Sequence, residues 1–157
     1  MPADANLNTH ALAQLERNHE ALMALCLVLE EIAFALPSDV DRDACLRASQ
    51  IMIPLLQQTH QVEERILFPD FDRNAGSHFA ATLIERLKAE HRCDVLTCEE
   101  VSLTLKAMAE RPDIPPEQAV RYMLQGFLES VRRHVLSEKL IIEALLVAEA
   151  EGREVLA

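Results

Sequence analysis

The sequence predicts an all-α protein, an up-down-up-down antiparallel four-helix bundle, and three observations carry that expectation. Apolar residues recur at alternating steps of three and four in four separate stretches, the stripe that a helix turns towards a bundle core. Only 3 glycines and 4% aromatic residues stand among abundant Ala, Leu, Glu and Arg, which favours helix over twisted sheet. The segments between stripes are short and mostly marked by proline, and short connections make neighbouring helices run antiparallel. A length of 157 residues, 50% of them hydrophobic, suits a single domain over 1–157 with one core.

Helix 1 is expected over about 9–36, with the stripe Leu12, Leu15, His19, Leu22, Cys26, Leu29 and Ala33. Asn8 or Thr9 can cap its start, and Pro37 stops it because proline disfavours helix at the residue before it. Helix 2, about 39–68, follows a Ser38 or Asp39 cap; its stripe is Leu46, Ser49, Ile53, Leu56, His60, Glu64 and Leu67, and Pro69 closes it. Pro54 falls inside this helix, where its missing N–H and ring clash cost ~3 kcal/mol, and reads as a tolerated kink.

Residues 69–76 read as a loop, after which Ser77 caps helix 3, about 78–111. Its stripe is Ile84, Leu87, His91, Asp94, Cys98, Val101, Leu105 and Met108. Pro112, Pro115 and Pro116 mark the last connection, and helix 4, about 116–150, carries Val120, Met123, Phe127, Val131, His134, Glu138, Ile141, Leu145 and Ala148. The tail after Gly152 is expected to fray.

A formal charge of -11 without any Lys/Arg run argues against nucleic acid and anionic membrane as partners. No basic segment followed by an apolar run opens the chain, and no apolar stretch reaches ~18 residues, so a cytoplasmic protein is expected. Cys26, Cys45, Cys93 and Cys98 contain no Cys-x-x-Cys pair and read as free thiols in a reducing compartment. Cys26 and Cys98 each follow a stripe histidine by the same interval, but on diagonal helices they are too far apart for a disulfide and read as small core fillers.

Chemistry is carried by four histidines on core stripes. In each half of the chain a lone histidine, His19 or His91, is followed at nearly the same interval by His-x-x-x-Glu, first His60 with Glu64 and then His134 with Glu138. Positions i and i+4 lie one above the other on a helix, so each pair can reach one buried metal. Two carboxylates in an apolar interior without cations would cost several kcal/mol each, and a cation neutralises them. The predicted metal ligands are therefore His19, His60, Glu64, His91, His134 and Glu138; imidazole with carboxylate suits iron and equally admits manganese or zinc. If both carboxylates bridge, His19 and His60 serve one metal and His91 and His134 the other. Two roughly octahedral irons offer about twelve positions, and these ligands with one oxo or hydroxo bridge leave about one open on each.

The ordered set His19, His60-Gln-Val-Glu-Glu64-Arg-Ile-Leu-Phe-Pro69, Glu90-His91 and His134-Val-Leu-Ser-Glu138 resembles the hemerythrin-like, HHE cation-binding family over nearly the whole chain. The resemblance implies two non-haem irons in a four-helix bundle that meets dioxygen, nitric oxide or hydrogen peroxide. Oxygen-carrying hemerythrins place a second histidine one turn after that of the third helix; Val95 stands there, which weakens the case for reversible oxygen carriage. The ligand set is also similar to the hemerythrin domain of repair-of-iron-centres proteins. The leading expectation is thus a diiron protein that binds or reduces a small oxidant, with peroxide or nitric oxide reduction as its enzymatic form. The alternative is a module that senses iron, oxygen or nitric oxide, or donates iron, without turnover. A ferritin-like site needs two Glu-x-x-His pairs, and among the core histidines only Glu16-x-x-His19 has that form.

Asp94, three residues past His91, is a candidate second-layer residue or proton carrier. Glu63 points ~100° away from Glu64 and is expected in solvent or in a second-layer contact. His10, His78 and Tyr122 fall off the stripes. A metal-free bundle remains a third expectation, as a homodimer through exposed apolar residues such as Ile142 and Leu146.

Overall fold

Side-chain oxygens start three of the four long helices. In the computed structural model, which describes residues 7–152, Asn8 accepts from the Ala11 N–H at 2.8 Å, Asp41 from Ala44 at 3.0 Å and Ser77 from Ala80 at 3.1 Å. Each satisfies a donor that the first helical turn leaves open. The helices so begun are α1 (Thr9–Ala35), α2 (Arg42–Val62) and α4 (His78–Glu110); α3 (Phe68–Ala75) and α5 (Gln118–Glu151) complete the set. The tail expected to fray lies outside the described residues. No helix among those described is long and apolar enough to cross a membrane.

Four long helices form the bundle: α1 packs on α2 and α5, and α4 packs on α2 and α5, so α1 and α4 are diagonal. Arginines tie the ends of the helices together. Arg121 of α5 donates to Ala33 O at 3.1 Å and Leu36 O at 2.6 Å, closing the end of α1. Arg42 at the start of α2 donates to Pro112 O at 2.8 Å, just beyond α4. Cationic donors at carbonyl-rich helix ends satisfy open acceptors and complement the helix dipole.

Three local expectations are corrected. Asp41, not Ser38 or Asp39, caps α2, because the Asp39 N–H still bonds to Ala35 O at 2.9 Å and keeps residues 36–39 in the closing turn of α1. Residues 69–75 are helical rather than a loop. Pro69 is the second residue of α3, which follows the π-helical turn Glu63–Leu67 without a break, so the proline does not end the helix; Gly76, at φ 54°, does. Ile142, expected at the surface, packs in the core with Ile141 and Leu145, whereas Leu146 is exposed.

The buried face of α2 is also turned from the expected stripe. Cys45, Ala48, Ser49, Met52, Leu56, Thr59 and His60 are buried, while Leu46 and Ile53 are only partly so. Pro54 sits within the continuous helix, on its exposed side, as does Gln50 four residues before it. The Gln50 carbonyl that loses its partner can therefore meet water.

Between α2 and α3 the chain widens into one π-helical turn, Glu63–Leu67, in which the Phe68 N–H bonds to Glu63 O. This turn accommodates an extra residue and rotates everything after it, so Leu67, Phe68 and Phe71 are buried together. Two apolar clusters result. One holds Leu22, Leu29, Met52, Leu105 and Leu128; the other holds Leu15, Leu67, Phe68, Leu87 and Ile141. His19, His60, His91 and His134 come between them along the four helices.

Candidate metal centre

Every long helix contributes to this polar layer. His19 comes from α1, His60 from α2, His91 from α4, and His134 with Glu138 from α5; all five are buried. The sixth buried member is Glu63, at 0% exposure, whereas the Glu64 side chain is 40% exposed. The expectation that Glu63 faces away from the core is thus corrected. Glu63 lies five turns of ~3.6 residues beyond the buried Cys45, on the middle of the α2 face rather than at its edge. The wide turn that follows keeps Leu67 and Phe68 buried as well, so Glu63 faces inward without driving those side chains into water. The register from Cys45 points to Glu63 only once the buried face of α2 is known to run through Met52 rather than Ile53.

The two buried carboxylates each span the layer. Glu63 Oε1 lies 2.9 Å from His19 Nε2, and its Oε2 lies 3.1 Å from His91 Nε2. Glu138 Oε2 lies 3.2 Å from His19 Nε2, and its Oε1 lies 3.1 Å from His91 Nε2 and 2.7 Å from His134 Nε2. His60 stacks on His91 with ring centroids 3.7 Å apart and planes at 10°. Two overlapping ligand groups emerge, His60/Glu63/His91/His134 and His19/Glu63/Glu138, each with its ligand atoms within 4.8 Å of one another. This grouping replaces the expected pairing of His19 with His60: His60 shares its group with the other two histidines, and His19 stands opposite.

Glu64 is not in either group. Its Oε1 accepts from His91 Nδ1 at 2.7 Å, on the outer side of the ring. Asp94 accepts from Ser130 Oγ at 2.9 Å and stands 3.8 Å from His134 Nδ1, with Glu90 nearer at 3.2 Å. His10, His78 and Tyr122 are exposed. The four cysteines are free; Cys26, Cys45 and Cys98 are buried and Cys93 is exposed.

The electrostatics suit a cation. An imidazole N–H serves one acceptor well, yet three Nε2 atoms face four carboxylate oxygens, and Glu63 Oε2 and Glu138 Oε2 are left without a hydrogen bond. Burial opposes ionisation of Glu63, and the neighbouring Glu138 adds to it, so its carboxyl is held well above the usual range. Burial also opposes ionisation of Glu138, but the facing carboxyl of Glu63 and the imidazoles of His134, His19 and His91 outweigh it and hold it well below. Burial pulls His19 and His91 down, and the carboxylates of Glu138 and Glu63 overcome it, holding them at about 9 and about 10. His60 is pushed down to about 3, by burial first and then by its charged neighbour His91. A cation accepting lone pairs from these imidazoles and carboxylates would remove the shortage of protons and the repulsion at once. The donor set therefore fits a metal.

The family profile for the hemerythrin HHE cation binding domain matches residues 10–146, a span that contains the whole layer. No curated protein and no solved structure matches the chain. With an all-helical bundle and a buried His/Glu cluster inside the matched span, the chain belongs to the hemerythrin HHE cation-binding domain family.

Proposed function

We propose that this chain holds two non-haem iron ions and binds or reduces a small oxidant: dioxygen, nitric oxide or hydrogen peroxide. One observation carries the proposal: Glu63 and Glu138 each turn one oxygen towards His19 and the other towards His91, the disposition of carboxylates that bridge two cations. His60, His91 and His134 would hold one ion and His19 the other, with Glu63 and Glu138 shared. Bound iron would supply the electrons and the open positions at which an oxidant can react.

The chain's own residues supply placement and access. Leu15, Leu67 and Phe68 on one side and Leu22 and Leu56 on the other keep bulk water from the layer along the bundle axis. A groove of about 620 Å³ between α2 and α4 reaches His60 and His91 past Gln57, Gln61, Val95 and Leu96, wide enough for a diatomic molecule or a peroxide. Loading with ferrous iron in the absence of air, counting metals per chain, and titrating each oxidant while recording absorption tests the proposal. Two irons per chain and a spectral response to at least one oxidant are expected; no iron retained, or no response to any of the three, overturns it.

A further inference from the structure

His91 is held on every side. Its ring lies between His60, at 3.7 Å and 10°, and Phe68, at 5.5 Å and 22°. Stacking on both faces fixes the ring plane but not which edge of the ring points inward, because a half-turn about the Cβ–Cγ bond keeps the plane while exchanging Nε2 with Cε1 and Nδ1 with Cδ2. The 2.7 Å bond from Nδ1 to Glu64 Oε1 removes that freedom. It leaves Nε2 facing Glu63 and Glu138, both at 3.1 Å.

Position in the chain explains why Glu64 takes this place. It follows Glu63 at the start of the wide turn, so consecutive carboxylates leave α2 in different directions, one into the layer and one to its rim. There Glu64 also lines the groove between α2 and α4. His134 lacks an equivalent anchor: its Nδ1 stands between Glu90 at 3.2 Å and Asp94 at 3.8 Å without an aligned hydrogen bond to either.

We infer that Glu64 is a positioning residue for the metal centre and not one of its ligands: its carboxylate accepts the Nδ1–H of His91 and thereby sets the tautomer whose Nε2 lone pair points at the metal. The inference rests on reading the layer as a metal centre. A carboxylate behind a ligating imidazole orients the ring and raises its basicity, and loss of such a partner typically costs roughly 10- to 100-fold in metal affinity.

The test uses the full chain with zinc as a diamagnetic probe, comparing wild type, Glu64→Ala and Glu64→Gln. Zinc stoichiometry, zinc affinity and the nitrogen and proton resonances of ¹⁵N-labelled histidine are recorded together. Wild type should show a low-field Nδ1–H proton from the short bond. Glu64→Ala should lose that proton and bind zinc about 10- to 100-fold more weakly at unchanged stoichiometry, and Glu64→Gln, whose amide oxygen can still accept, should recover most of both. Loss of a zinc equivalent in Glu64→Ala would make Glu64 a ligand and overturn the inference, as would affinity and proton signal both unchanged. Failure of wild type to bind zinc or iron would overturn the metal reading along with it.

Discussion

Glu63 of the π-helical turn and Glu138 of α5 lie across from each other with His19 on one side and His91 on the other, and each gives one oxygen to each histidine. If the two carboxylates bridge, Glu63→Gln and Glu138→Gln each lower metal affinity beyond the roughly 10- to 100-fold that loss of an outer partner costs. Helical content by circular dichroism should stay unchanged. Anaerobic iron titration checks this, and a Glu63→Gln variant that binds iron as wild type does would remove Glu63 from the site.

Phe68 is almost fully buried and flanks His91. Phe68→Ala leaves a cavity beside the layer and should cost about 3–5 kcal/mol of stability. Denaturant unfolding of the metal-free chain measures it. A loss below about 1 kcal/mol would mean that the π-helical turn does not hold this side chain in the core.

Arg121 donates to two carbonyls at the end of α1. Arg121→Met removes both bonds while keeping much of the apolar stem, and should cost about 1–3 kcal/mol. The unfolding midpoint should fall with the slope of the transition unchanged.

Burial pushes the Cys26 and Cys45 thiols up to about 11 and the Cys98 thiol up to about 12, so at pH 8 almost none of these is thiolate. Cys93 is exposed. A thiol-reactive probe should label Cys93 in the folded chain and reach the other three only on unfolding. Rapid labelling of two or more sites by mass spectrometry would show that the core opens.

Val95 lines the groove that reaches His60 and His91. Val95→Phe should narrow it and slow the binding of azide to the iron-loaded chain in stopped-flow, while metals per chain stay the same. Unchanged association would place the path of small molecules elsewhere.

Periodicity made much of this legible before any coordinates. The caps Asn8 and Ser77, the alternation of apolar steps and the gathering of His19, His60, His91, His134 and Glu138 onto buried faces all follow from local spacing, because helix geometry relates neighbours three and four apart whatever the rest of the chain does. Proline, by contrast, misled at Pro69, since the helix continues through it after the widened turn without a break.

What the sequence by itself determined was the four long helices and the faces that carry histidine. Tertiary structure alone decided between Glu63 and Glu64. Residues three and four positions after His60 flank the same face of α2 almost equally, so local spacing cannot separate them. The choice fell to the packing of Leu67, Phe68 and Phe71 against the helices around them, which is satisfied through one widened turn, and that turn lets Glu63 stay on the buried face of α2 and leaves Glu64 at the rim against His91.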